Sequence, residues 1–311
     1  ECAVADERIY ILAADISPAG PLVQFAKDFP RRFINVGVAE QAMIGMAAGL
    51  ALKGMRPFCY TIATFSLYRP FEFIRDDLAY QQLPVTVVGM GAGLNYSTLG
   101  ATHHAIEDVA VASAIPGMTV LAPCDPTETA ECVRWCAAQS KGPTYLRIGK
   151  AGEPDLVLVE PNVLKERWYF GLPRHLKYGS GEGDCFLSYG PICSVAMDVA
   201  SHFVNSSVCS IHTLKPLGGF SWLARFKRVF VIEEHVRSGG LGEKLGVPSF
   251  GLKDEFIHFH GEREELLRLH GLSASQIVAF LQKRGDIPRN ANLGGDASKA
   301  ASEPATYAAR R

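Results

Sequence analysis

The chain has 311 residues, 48% hydrophobic and 20% charged, with 31 basic against 32 acidic side chains and a formal net charge of −1. At roughly 150 residues per domain this is material for two domains. A near-neutral balance gives no electrostatic footprint for nucleic acid or an anionic membrane surface. The apolar runs are broken well short of the about 18 residues that a membrane-spanning helix needs. The acidic opening ECAVADERIYILAAD does not read as a signal peptide. Eight scattered cysteines suit reduced core thiols of a cytoplasmic protein better than a disulfide framework.

In chain order, Tyr10–Ala14 reads as a strand ending at Asp15. Gly37–Leu52 reads as a helix with Met43, Met46, Ala47 and Leu50 on one face and Gly54 as its stop. Pro57–Ile62 is a strand, Pro70–Tyr80 a helix and Val85–Gly89 a strand, followed by the glycine-rich stretch Gly89–Gly100. A helix over His104–Ala114, a strand over Thr119–Ala122, a helix over Pro126–Ala138 and a strand over Tyr145–Ile148 complete the first half. Strands separated by helices of this length predict parallel β-α-β units and an α/β fold. Residues 151–183 are irregular and read as a linker. The pattern restarts with strands at Cys185–Ser188, Val208–His212 and Val229–Glu233. A helix after Pro191 turns Val195, Ala196, Val199 and Phe203 inward, and Ser273–Gln282 is a closing helix capped by Ser273. The expected division is 1–150, linker 151–183, a second domain over 184–288, and a disordered tail over 289–311, which is small, polar and aperiodic.

Glu40 stands in the first turn of a helix in otherwise apolar company. Two readings are open: a carboxylate favoured by the helix macrodipole, or a desolvated acid able to share its proton with a buried nitrogen base. Phe65, Tyr68 and Phe71 fall three apart, a spacing that suits core packing or an aromatic pocket. Cys132 and Cys136 lie four apart on a helix without a second ligand pair, which favours packing over metal binding. Gly89, Gly91 and Gly93 do not fit a dinucleotide loop, because the third glycine comes too early.

The segment Phe33-Ile34-Asn35-Val36-Gly37-Val38-Ala39-Glu40-Gln41 resembles the signature of the pyrimidine-binding domain of transketolases. Gly100-Ala101-Thr102-His103-His104 is similar to that family's Gly-Pro-Thr-His segment, and Glu233-Glu234-His235 with Gly239-Gly240-Leu241-Gly242 to a stretch of its C-terminal domain. The three occur in the family's order, so the chain resembles the C-terminal subunit of a split, two-component transketolase. The implied fold is two mainly parallel sheets flanked by helices: a thiamine-diphosphate pyrimidine domain and a transketolase C-terminal domain.

The resemblance implies thiamine diphosphate and Mg as cofactors. Glu40 would hold the aminopyrimidine in the tautomer that deprotonates the thiazolium carbon, within a ring of Phe65, Tyr68 and Phe71. Asp15 would lie beside the cofactor, and His103 would meet substrate oxygen; His104 either begins the next helix or exchanges roles with His103 at the substrate. Arg147 and Lys150 lie where the family often has a cation for a substrate phosphate, with an exposed linker pair as the equal alternative. An acidic residue expected four positions before His103 is Leu99 here, which removes a hydrogen-bond acceptor for a sugar donor.

The Gly-Asp-Gly…Asn motif that grips the diphosphate and metal has no counterpart. Gly285-Asp286-Ile287 and Gly295-Asp296-Ala297 lack the second glycine. This implies that an N-terminal partner subunit carries that domain, in an α2β2 assembly by family analogy. Gly45 and Gly49 would permit close helix contact there, or equally close packing within the domain. The expected activity is transfer of a two-carbon ketol or acyl unit between small-molecule carbonyls. The alternatives are the β subunit of a 2-oxo-acid dehydrogenase, a deoxyxylulose-phosphate-synthase-like ligase and, less fitting, a non-catalytic scaffold. The Glu233-Glu234-His235 cluster reads as structural.

Overall fold

The computed structural model describes residues 1–18, 20–156 and 168–283. The expected tail over 289–311 and part of the expected linker lie outside the described residues.

Two sheets organise the chain. The first has seven strands: β1 (Ile9–Ala13), β2 (Phe33–Asn35), β3 (Arg56–Ile62), β4 (Thr86–Met90), β5 (Thr119–Leu121), β6 (Thr144–Ile148) and β10 (Thr213–Lys215), in the order β10-β5-β6-β4-β3-β1-β2. The second has five: β7 (Arg174–Lys177), β8 (Asp184–Ser188), β9 (Ser207–Ser210), β11 (Arg228–Val236) and β12 (Ser249–Leu252), in the order β12-β11-β8-β9-β7. Every neighbouring pair is parallel except β10 with β5 and β7 with β9. Strands buried on both faces carry continuous apolar runs, as β4 does with Thr86–Met90 fully buried.

Four strands were not legible in the sequence. β2 has only three residues, and β12 is similarly short. β7 lies inside the stretch expected to be a linker, so residues 151–183 are not linker throughout. β10 follows the second domain's β9 and yet pairs antiparallel with β5 of the first sheet. Its edge position needs few residues and leaves little periodic signal.

The helix expected over Gly37–Leu52 runs from Glu40 to Leu52, with Glu40 as its first residue. Its buried face is Met43, Ile44, Ala47, Ala48 and Ala51. Met46, expected inward, is exposed. Ala and Gly fill so much of this helix that apolar residues surround it, and periodicity could not choose the buried side. Pro70–Tyr80, expected as one helix, is a single turn at Phe71–Phe73 and then a wider π turn at Ile74–Ala79. The helix expected to begin at His104 begins at Asp108.

One apolar cluster spans both sheets, joining Leu12, Met43 and Val87 to Cys185, Leu187 and Val231. A second packs around β8 and the closing helix Ala274–Lys283, and a third covers the other face of the first sheet. Cys132 and Cys136 are buried in that third cluster, where burial pushes the Cys136 thiol up to about 12. All eight cysteines are free. Among the described residues no helix is long and apolar enough to cross a membrane.

Candidate functional site

The sheet order places the expected site residues together. Parallel strands β6, β4, β3, β1 and β2 are successive neighbours. Lys150 follows β6, the loop to His103 follows β4, Phe65 follows β3, Asp15 follows β1 and Glu40 follows β2. Residues from distant parts of the sequence therefore gather at the carboxyl edge of one parallel sheet, where α/β folds form their clefts.

Glu40 is 4% exposed. Its Oε1 accepts a 2.8 Å hydrogen bond from the Arg69 guanidinium. Arg69 in turn lies over the Phe65 ring, 4.2 Å from its centroid. Phe65 meets the His103 ring edge-on at 5.1 Å, and His103 lies 6.1 Å from Tyr96. The Lys150 ammonium stands over the far side of the same path, 5.2 Å from the Tyr96 ring. Glu40, Arg69, Phe65, His103, Tyr96 and Lys150 thus form one connected series. Arg69 was missed in the sequence. Its neighbours read as an aromatic triplet, and a lone arginine between Tyr68 and Pro70 carries no spacing signal.

Tyr68 and Phe71 are half-buried and pack against the cluster that holds Met43. The Tyr68 hydroxyl is buried beside the Glu107 carboxyl. Burial, with the carboxyls of Asp108 and Glu107 nearby, raises its pKa and keeps it protonated. Asp15 is exposed and takes a positive φ of 49°. Its N–H donates to Asn35 Oδ1 at 3.3 Å, and Gly37 N–H donates to the same oxygen at 2.9 Å. Asn35 therefore ties the ends of β1 and β2 together just before Glu40.

His103 is half-buried, with Nδ1 2.9 Å from the Thr102 hydroxyl. Burial and then the Arg69 charge lower its pKa. It is accordingly neutral at neutral pH, able to donate or accept a proton.

Two expectations need correction. His104 is not a cleft residue: it is buried, and its Nε2 lies 3.2 Å from the Ser97 carbonyl. A carbonyl only accepts, so Nε2 carries the proton, and the ring braces its own loop. Arg147 is not available to a substrate phosphate. It is 1% exposed, its Nε is 2.8 Å from Asp108 Oδ2, and Nη2 donates to the carbonyls of Ala105 and Glu234. Strand alternation turned it inward, between the two sheets. Lys150 is exposed, and Leu99 is 49% exposed on the same loop as His103.

The Glu233-Glu234-His235 cluster splits into separate tasks. The Glu233 carboxylate accepts N–H bonds from Leu241 and Gly242 and the Tyr189 hydroxyl. Burial raises its pKa to about 7. His235 Nε2 faces the Ala110 N–H at 3.4 Å. Glu234 turns toward the loop after β4, where its Oε1 accepts from Leu94 N–H at 2.7 Å.

Residues 1–152 match the transketolase pyrimidine-binding domain. The chain is 32% identical over 286 residues to a putative transketolase C-terminal section of Methanocaldococcus jannaschii, covering 88% of this chain and 89% of that one. It is 30% identical over 297 residues to a subunit of the apulose-4-phosphate transketolase of Phocaeicola vulgatus, covering 89% and 91%. Among solved structures it superposes on a split-gene transketolase, described as an inactive beta4 tetramer, with a TM-score of 0.77 and 31% identity over 90% of this chain and 93% of the other.

Proposed function

The chain belongs to the transketolase family, and from that premise we propose that it is the pyrimidine-side subunit of a two-component, thiamine-diphosphate-dependent transferase moving a two-carbon ketol unit. The observation that carries this reading is the Glu40–Arg69–Phe65 stack. A flat, nitrogen-bearing cation lies on the Phe65 ring and donates to the buried Glu40 carboxylate. The cleft therefore accepts a planar N–H-bearing group of the kind an aminopyrimidine presents, and the residues fit the cofactor. When bound, thiamine diphosphate supplies the acidic ring carbon and electron sink needed to break and remake a carbon–carbon bond.

This chain's own side chains then have definable roles. Glu40 holds the proton at the ring nitrogen, and its burial keeps water from competing for that bond. Phe65 supplies the stacking face, while Tyr68 and Phe71 close the apolar side. Arg69 must swing away from Glu40 for the ring to enter. Neutral His103, oriented by Thr102, serves substrate oxygen as proton donor or acceptor. Lys150, exposed beside Tyr96, is suited to a substrate phosphate, and Asp15 lines the strand end next to the cleft.

The diphosphate and its Mg are assigned to a partner subunit, in an α2β2 assembly. The outward side of the Glu40–Leu52 helix suits such a contact. Ala42, Met46, Gly49 and Leu52 are exposed there, and nothing lies within 4 Å of where a Cβ would stand on Gly45 or Gly49. Eight free cysteines, seven of them buried, suit the reducing cytoplasm. We assign a pyrimidine domain to 1–150 and a C-terminal domain to 184–288, although the second sheet also takes β7 from within 151–183 and β10 pairs with the first sheet.

The test uses the chain co-expressed with a diphosphate-domain subunit, thiamine diphosphate, Mg and an aldehyde acceptor. Hydroxypyruvate should yield the ketol-extended product, and Glu40→Gln should lose nearly all turnover. Product from pyruvate alone would move the reading to acyl transfer. Full activity of Glu40→Gln would remove it.

A further inference from the structure

The loop that presents His103 is held from the second sheet. It leaves β4, closes at its neck through paired bonds between Gly93 and Ala105 (3.1 and 3.0 Å), and holds only two short 3₁₀ turns, Ser97–Leu99 and Ala101–His103. Such turns, with positive φ at Gly91, Gly93 and Gly100, give the segment little rigidity of its own.

Three residues of the second domain supply it. Glu234, 2% exposed at the end of β11, accepts the Leu94 N–H at 2.7 Å. Arg263 fixes that carboxylate, donating from Nε to Oε1 at 3.1 Å and from Nη2 to Oε2. His260 lies against the loop's far end, with Nδ1 3.3 Å from the Thr98 carbonyl. The approach is so close that a side chain on the loop would have to displace these groups. A Cβ on Gly93 would stand 2.7 Å from the Glu234 carboxyl carbon, and one on Gly100 would stand 2.5 Å from the His260 ring. Any shift of Glu234 or His260 therefore passes directly to the backbone of residues 93–100, which leads into His103.

We infer that Glu234, Arg263 and His260 are positioning residues for substrate recognition: they set where His103 stands over Phe65, and so act on the donor rather than on the cofactor. This rests on the ketol-transfer reading above. It also gives the second domain a part in substrate recognition.

Two measurements test it. The first is hydrogen exchange on the full chain by itself. Losing the Leu94 acceptor in Glu234→Ala should speed exchange across residues 91–104 roughly tenfold, with β8 and β9 unchanged. Glu234→Gln keeps an oxygen for Leu94 and should restore most of the protection. His260→Ala alters an exposed side chain and should act on residues 97–103 alone. If Glu234→Ala does not fold, His260→Ala decides. The second is kinetics of the assembled enzyme with hydroxypyruvate. The Ala variants should raise KM for the donor several-fold while the thiamine diphosphate Kd stays within about twofold. Unchanged exchange in the loop overturns the proposal. So does a fall in kcat and cofactor affinity with donor KM constant. Should the wild-type complex not transfer a ketol unit, the function fails while the exchange experiment still judges the loop.

Discussion

Arg69 occupies the contacts assigned to the cofactor ring, so its removal has a calculable sign. A cation over an aromatic face at a partly exposed position contributes about 0.5–1 kcal/mol. An ion pair with one exposed partner contributes about 0.2–1 kcal/mol, and the Arg69 side chain is 44% exposed. Together the closed arrangement is favoured by about 0.7–2 kcal/mol, which leaves about 3–23% of molecules with the cleft open. Apparent affinity scales with that fraction, so Arg69→Ala should bind thiamine diphosphate roughly 4- to 30-fold more tightly in the assembled complex. Arg69→Lys keeps the ion pair but loses the flat stack, and should fall between. Calorimetric titration of the complex in the presence of Mg reads this directly. A second readout is the His103 imidazole by NMR. The Arg69 charge helps to depress its pKa, so the value should rise in Arg69→Ala and extend protonation to higher pH. Equal or weaker cofactor binding by Arg69→Ala would refute the reasoning, and weaker binding would make Arg69 a cofactor contact instead.

Two further outcomes concern stability. Glu233 titrates in the fold at about 7 instead of 4.5 because it is buried, so the native state holds its proton longer than the unfolded chain. Its contribution is favourable below about 4.5 and is lost as pH rises through about 7. Glu233→Gln should flatten that part of a Tm-against-pH curve, and an unaltered slope would contradict the assignment. Arg147→Ala leaves Asp108 buried and without its ion-pair partner, the Tyr145 hydroxyl still donating to it. Breaking such a pair costs about 3–5 kcal/mol, measurable by urea denaturation. A loss under about 1 kcal/mol would show that the interior solvates Asp108 by other means.

Much of the architecture was legible in order along the chain. Runs such as Val85–Gly89 and Cys185–Ser188 are strands because short apolar stretches bounded by turn residues have few other ways to satisfy their backbone groups. The alternation of these runs with helices foretold parallel sheets. Motif resemblance singled out Glu40, the aromatic triplet and His103 as candidates, and each lies within a few residues of its own strand end. What each side chain contacts was set by partners far away in sequence. Arg69 reaches Glu40 across 29 positions, Arg147 reaches Asp108 across 39, and Leu94 reaches Glu234 across 140. Local propensity sets dihedral angles within a window of a few residues, whereas a buried charge must be matched by whatever group the sheet order brings beside it. The tertiary structure therefore turned Arg147 inward, closed the cleft with Arg69 and brought the second domain's Glu234 against the loop that carries His103.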